Sequence, residues 1–105
     1  MITDELIQQV RRKLNITWEE AETSARVNDI ISSAIPDLIH RLGITDPDFD
    51  FSVAGAENTL FLAYCLYEWN HCANEFDENY SRMIATVRAK YEVRHYVESE
   101  ESASE

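Results

Sequence analysis

Apolar side chains recur at helical spacing along most of this chain, and the pattern predicts an all-α fold of four main helices with no sheet. Leu6, Ile7, Val10 and Leu14 form the first stripe, on a helix running from about Thr3 to Leu14. Thr3 is its expected cap, Asp4 and Glu5 fill its first turn, and Arg11, Arg12 and Lys13 fill its last; that order matches the helix dipole. A second helix is expected from Thr17, where Thr17 and Glu20 have capping-box spacing. Leu14, Ile16 and Trp18 flank that corner and are expected to pack the two helices together. The second stripe runs from Ala21 through Ile30, Ile31 and Leu38 to Leu42, and Gly43 supplies the stop. Pro36 lies inside it, where it removes a backbone donor and clashes with the carbonyl of Ser32, so a kink or a break is expected.

Residues Ile44 to Phe51 read as a loop, with Asp46-Pro47-Asp48 as its turn. Phe49 and Phe51 alternate with acids there and are expected to tuck onto the core. Ser52 is the expected cap of a third helix ending near Cys72. From Leu60 to Trp69 that helix is apolar on nearly every face, broken only by Glu68. A helix apolar all round needs cover on all sides, and so short a chain has few elements to supply it. Assembly with copies or a partner is the implied remedy. A fourth helix begins near Asn74 or Asp77, with Phe76, Tyr80, Ile84, Val87 and Tyr91 as its stripe. The expected core includes Val10, Ile30, Ile31, Leu38, Leu60, Leu66 and Ile84. Residues 1–96 thus form one helical domain. From Val97 the chain reads VESEESASE, too polar to offset the entropy of ordering, and residues 97–105 are expected to be a flexible acidic tail.

Charge narrows the function. Twenty acidic residues stand against nine basic, a formal net charge of −11. Phosphate backbones reward Lys and Arg, so a duplex-gripping role is disfavoured. The N-terminus, MITDELIQQVRRK, lacks the basic start and apolar run of a signal peptide, and no segment has the roughly 18 consecutive apolar residues of a membrane span. Synthesis in the cytoplasm is the default expectation.

Catalytic chemistry finds little support. Glu68, His71, Cys72 and Glu75 share a stretch of helix, but no second Cys/His pair closes a zinc site, so no metal is expected. Cys65 and Cys72 lie two helical turns apart, roughly 10 Å, beyond the ~7 Å reach of a disulfide. Cys65 sits in LAYCLYEW, an apolar context that leaves a thiol inert. Gly43 and Gly55 are the only glycines, so there is no phosphate-cradling loop. Phe61, Tyr64, Tyr67 and Trp69 resemble a base-stacking platform only until the absence of Lys and Arg from residues 52–72 is noted; core and interface packing is the better reading. No enzyme activity and no cofactor are expected.

The order of these parts resembles the small head–tail connector proteins of long-tailed bacteriophages, the adaptors beneath the portal. The likeness spans most of residues 3–93. It comprises the short first helix, the T-W-E-E corner (Thr17 to Glu20), a long helix ending at glycine and the DPDFDF loop. The Tyr-rich helix LFLAYCLYEWN and the segment ANEFDENYSRMIATVRAKYEV complete it. The chain departs from that layout at Pro36 and in its acidic tail. The resemblance implies a virion protein at the head–tail junction that forms a homo-oligomeric ring, commonly of twelve copies. Such a ring docks on the portal protein, extends the DNA channel and offers a platform to a downstream stopper or tail protein. DNA would pass with weak contact and no sequence specificity, and no membrane would be involved. In this setting Arg11, Arg12, Arg88, Glu98, Glu100 and Glu101 are candidate partner-binding residues. Asp46, Asp48, Asp50, Glu75, Asp77 and Glu78 are candidate channel-facing acids. The rival readings are an acidic DNA mimic that occupies the basic cleft of an enzyme, and a small helical protein-interaction adaptor. A mimic needs its carboxylates in two duplex-like rows on one face.

Overall fold

In the computed structural model the backbone is described for residues 2–103 and the side chains for residues 2–94. Four helices follow in order: α1 (Asp4–Lys13), α2 (Ala21–Leu42), α3 (Ala56–Trp69) and α4 (Asn74–Ala103). There is no strand among the described residues. The acidic tail expected at 97–105, with Glu98, Glu100 and Glu101, lies outside the residues whose side chains are described.

Three helix ends share one device. Asn15, Gly43 and His71 each adopt positive φ, near 59°, 70° and 59°. The amide that follows each of them donates back to a carbonyl in the last turn: Ile16 to Arg11, Ile44 to Ile39 and Cys72 to Tyr67. This 6→1 bond satisfies a carbonyl that the helix leaves orphaned and turns the chain sharply. Ile16 and Ile44 then fold back into the core, where each is under one-tenth exposed. Gly43 takes this conformation without strain, and Asn tolerates it better than most residues.

The helix starts differ more from expectation. Thr3 caps α1 as expected, its Oγ1 accepting from the Leu6 amide at 3.2 Å. The Thr17–Glu20 capping box does not form: α2 begins at Ala21, and Glu20 precedes it in extended backbone with no side-chain cap. Residues 15–20 instead span from α1 to α2, and Trp18, expected in the corner, is 46% exposed with its indole N–H donating to Thr23. Ser52 does not cap α3. The helix starts after Gly55, whose φ of 152° belongs to a region open essentially to glycine. The Ser52 hydroxyl donates to Asp50 instead. Through Pro36 the helix α2 runs unbroken, with Pro36, Ser32 and Ser33 all exposed. The Ser32 carbonyl that loses its donor can therefore be met by water, which removes the need for a break.

α2 and α3 form the centre. Both contact α1 on one flank and α4 on the other, while α1 and α4 do not meet among the described residues. Leu6 and Val10 of α1, Val27, Ile31, Leu38 and Leu42 of α2, and Leu60, Phe61 and Cys65 of α3 fill the space between, each nearly or fully sealed from solvent. The loop before α3 contributes Phe51, which is fully buried and stacks on Phe61 with ring centroids 4.7 Å apart, and Phe49 packs edge-on against it. Across the α3–α4 seam, Phe76 is fully buried. It meets Tyr80 in a stack at 5.1 Å, with Tyr64 and Tyr67 edge-on. Ile30, Leu66 and Ile84, expected inside, are only partly buried at the margin of this core. They sit one helical step off the most enclosed positions, which is the uncertainty that a stripe read without partners always carries.

Candidate functional site

The charged side chains fall into four groups, and only some of them are available to a partner. Arg11 is the first to be withdrawn. It is 7% exposed, and its guanidinium donates to the carbonyl of Trp18, with Glu19 3.5 Å away. It holds the 15–20 connection against α1, so it is a structural anchor and not the surface cation expected. Arg88 is also committed: its Nη1 donates to the Arg41 carbonyl at 3.0 Å and its Nε lies 3.6 Å from Glu92. The helix end at α2 has orphan carbonyls, and Arg88 satisfies one of them. The third candidate cation, Arg12, is exposed and meets only exposed Glu5, at 3.7 Å.

A second group knits α2, α3 and α4. Asp37 accepts from Arg41 Nε at 3.1 Å, and Arg41 also donates to Asp77 at the start of α4. The Tyr64 hydroxyl lies 2.6 Å from Asp37 Oδ2 and 2.9 Å from Glu68 Oε1. It carries one proton and donates to one of the two carboxylates at a time. Burial, and then the two neighbouring carboxylates, push the phenol far above its ordinary pKa, so it remains a donor throughout the working pH range. Asp77 is thereby tied to Arg41, whereas Glu75 and Glu78 are exposed. At the other end of α3, Glu57 receives Lys90 Nζ at 3.0 Å and the Tyr91 hydroxyl at 3.1 Å. Burial alone would raise this carboxyl, but the two hydrogen bonds and the lysine charge outweigh it and leave its pKa below the ordinary value. A carboxyl with a depressed folded pKa adds stability above its unfolded pKa and loses it as pH falls through the folded value. Stability should therefore decline as pH drops below the usual carboxylate range, and Glu57→Gln should flatten part of that decline. Thermal melts of the two proteins between neutral and acid pH check this; identical pH profiles would contradict it.

The acids of the 44–55 loop are organised by their own backbone. Asp46 accepts from the Asp48 amide at 2.9 Å, and Asp50 accepts from the Ser52 amide and hydroxyl at 3.0 and 2.6 Å. The Ser52 hydroxyl first, and its amide next, lower the Asp50 pKa. Asp46, Asp48 and Asp50 are all exposed, and no cation pairs with them among the described residues. They lead into the N-terminal end of α3, and Glu75, Asp77 and Glu78 follow its C-terminal end, so the two acid groups flank a helix about 20 Å long.

The fourth group is basic. Gln9, Arg12 and Lys13 of α1, with Asn58 and Leu62 of α3, line an open groove of about 380 Å³. Gln9 and Asn58 are fixed there: Asn58 donates to Gln9 at 2.8 Å and to the Phe51 carbonyl at 2.7 Å, and Gln9 donates to the Ser52 carbonyl at 2.9 Å. Composition could not reveal this groove, because it depends on α1 lying beside the first turns of α3.

No three His, Cys, Asp or Glu side chains converge on a metal-sized site among the described residues. Glu68 is engaged by Tyr64, and His71 faces Arg26, which also donates to the Trp69 carbonyl at 2.6 Å and lies over its indole. Both thiols are free, and burial, then the charge of Glu68, pushes Cys65 up to about 12. Cys72 is less buried. A neutral thiol reagent should therefore modify Cys72 in the folded protein and Cys65 only as the domain opens. Equal labelling rates under native conditions would contradict that assignment. Phe61 and Tyr64 are core residues, and Tyr67 and Trp69 are partly buried against it, which leaves no open aromatic platform on α3. No described helix is long and apolar enough to cross a membrane. Comparison with protein-family profiles, with curated proteins and with solved structures returned no match to this chain.

Proposed function

We propose that this chain is a structural subunit of a homo-oligomeric ring, the head–tail connector that docks beneath a phage portal, continues its DNA channel and supports the next head-completion or tail protein. The proposal rests on the sequence resemblance. The observation in the fold that best supports it is the loop of residues 44–55, where Asp46, Asp48 and Asp50 are exposed and have no cationic partner among the described residues, on a turn stiffened by its own hydrogen bonds. A channel wall must avoid phosphate contacts, since each engaged Lys or Arg strengthens retention of DNA. Fixed carboxylates meet that need without reaching for the duplex. Lateral contacts would draw on apolar surface that the bundle leaves open. Trp18 is 46% exposed, Val53 is 63% exposed, and Leu62, Leu66 and Trp69 are only partly covered.

A DNA mimic fits less well. Asp77 and Glu57 are spent on Arg41 and Lys90, and the exposed acids without an ion pair among the described residues are scattered over several elements, among them Asp4 on α1, Glu22 and Asp29 on α2, Asp46, Asp48 and Asp50 in the loop, and Glu75 and Glu78 at the start of α4. The chain's role is thus read as assembly and passage, without catalysis. The test is retention: the purified protein should bind the cognate portal and pass duplex DNA unretarded at low salt. Tight DNA binding without portal binding would overturn the proposal, and capture by a basic DNA-handling enzyme, competed by duplex, would replace it with mimicry.

A further inference from the structure

We infer that the groove between α1 and α3 is the receptor for the acidic C-terminal segment, residues 97–105, of a second copy of this chain. The inference rests on the ring reading and names the contact between neighbours.

Charge commitment carries the first part. Nine cations serve a chain with twenty acids, and most are already occupied. Arg11, Arg26, Arg41, Arg88 and Lys90 all donate hydrogen bonds within the fold, and Arg94 lies over the Tyr91 ring. Arg82 of α4 is exposed and has no ion pair among the described residues, but no groove adjoins it there. Arg12 and Lys13 are consecutive cations beside a groove. Both are exposed, Lys13 makes no ion pair among the described residues, and Arg12 has only a long contact to Glu5. They stand on one rim of a groove whose other wall, Asn58 and Leu62, is held in place by the Gln9 and Phe51 hydrogen bonds. The segment VESEESASE is the matching chemistry: four glutamates, no cation, and one large apolar residue, Val97, for a groove with one apolar wall, Leu62.

Topology selects a second copy over the chain's own tail. Glu57, next to Asn58, holds Lys90 and Tyr91, so α4 passes the level of the groove. It does so on the opposite flank of α3, because α1 and α4 do not touch among the described residues. The last cations of α4 therefore stand across α3 from the groove, and a neighbour set side by side brings its α4 flank against this α1 flank. Such a contact joins two different surfaces and is heterologous, the type that closes into a ring when the rotation allows. Each exposed ion pair is individually weak and screened by salt, so the contact should be salt-sensitive and gain strength by repetition around the ring.

The test uses full-length protein. Equal amounts of chain made with light and heavy nitrogen are mixed at low salt and treated with a carbodiimide that joins an amine to a carboxylate. Mass spectrometry should find Lys13 joined to a glutamate of residues 98–105 in mixed light–heavy pairs. Arg12→Glu combined with Lys13→Glu should weaken self-association at least tenfold, and adding a chain carrying Glu98→Lys, Glu100→Lys and Glu101→Lys should restore it. Links only within one isotope, links from Lys13 only to other acids, or no change with the charge reversal would overturn the inference. Portal-dependent rings that form unimpaired from the Arg12→Glu, Lys13→Glu chain would also overturn it while leaving the ring reading intact. Loss of portal binding by the unmodified chain would remove the ring reading, whatever Lys13 joins.

Discussion

Phe76→Ala is expected to lower the melting temperature by roughly 12–40 °C, the product of a truncation cost of about 3–5 kcal/mol and a shift of about 4–8 °C per kcal/mol for a domain of this size. Phe76 is fully buried and is the ring on which Tyr64, Tyr67 and Tyr80 converge. It is also the first large side chain by which α4 grips α3. Removing it leaves a cavity between two helices that share few other enclosed residues on the α4 side, since Phe76 is fully sealed and Val87 is the only other buried residue of that helix among the described residues. Circular dichroism melts check the prediction. A drop of only a few degrees would mean that the aromatic cluster is peripheral and that α4 is held by its ion pairs.

Arg11→Met is expected to destabilise by about 1–3 kcal/mol, the cost of leaving the Trp18 carbonyl without its donor, while Arg12→Gln leaves the melting temperature nearly unchanged. The two arginines are adjacent in sequence and were indistinguishable by charge pattern. Arg11 is buried against the connection to α2, whereas Arg12 is exposed. Methionine keeps the apolar stem, so the loss isolates the hydrogen bond and ion pair. Equal, small effects from both substitutions would return Arg11 to the surface.

These cases mark how far the sequence alone carries. The four stripes were legible because burial imposes them: Leu6 and Val10, Ile31 and Leu38, Leu60, and Phe76 with Val87 all face the core as their spacing requires. The Phe51 tuck was legible because an aromatic ring in an acidic loop has few other places to go. The start of α2 was not. Thr17 and Glu20 have the right spacing for a box, but Arg11 draws the Trp18 carbonyl toward α1 and residues 16–20 stay outside the helix, a tertiary contact that no local pattern encodes. Asn15 and His71 were missed as turn residues for a related reason. Glycine is the strongest sequence signal of positive φ and Asn a weaker one, and these two residues accept it because the following Ile16 and Cys72 complete the backbone bonds. Among the candidate site residues, Asp46, Asp48 and Asp50 are exposed in the loop before α3, and Arg88 and Asp77 are absorbed by the fold. Formal charge does not tell whether a side chain has an internal partner, and the groove of Arg12 and Lys13 exists only once α1 is laid beside α3.

Particle mass, measured for the purified chain alone and after mixing with the cognate portal, decides whether the chain is a ring subunit. A ring subunit gives a discrete, portal-dependent species whose added mass is a whole number of 12.2 kDa chains matched to the portal's symmetry, seen as a ring with an open channel. A chain that leaves the portal's mass unchanged at saturating concentration, or adds to it without a fixed stoichiometry, is not such a subunit.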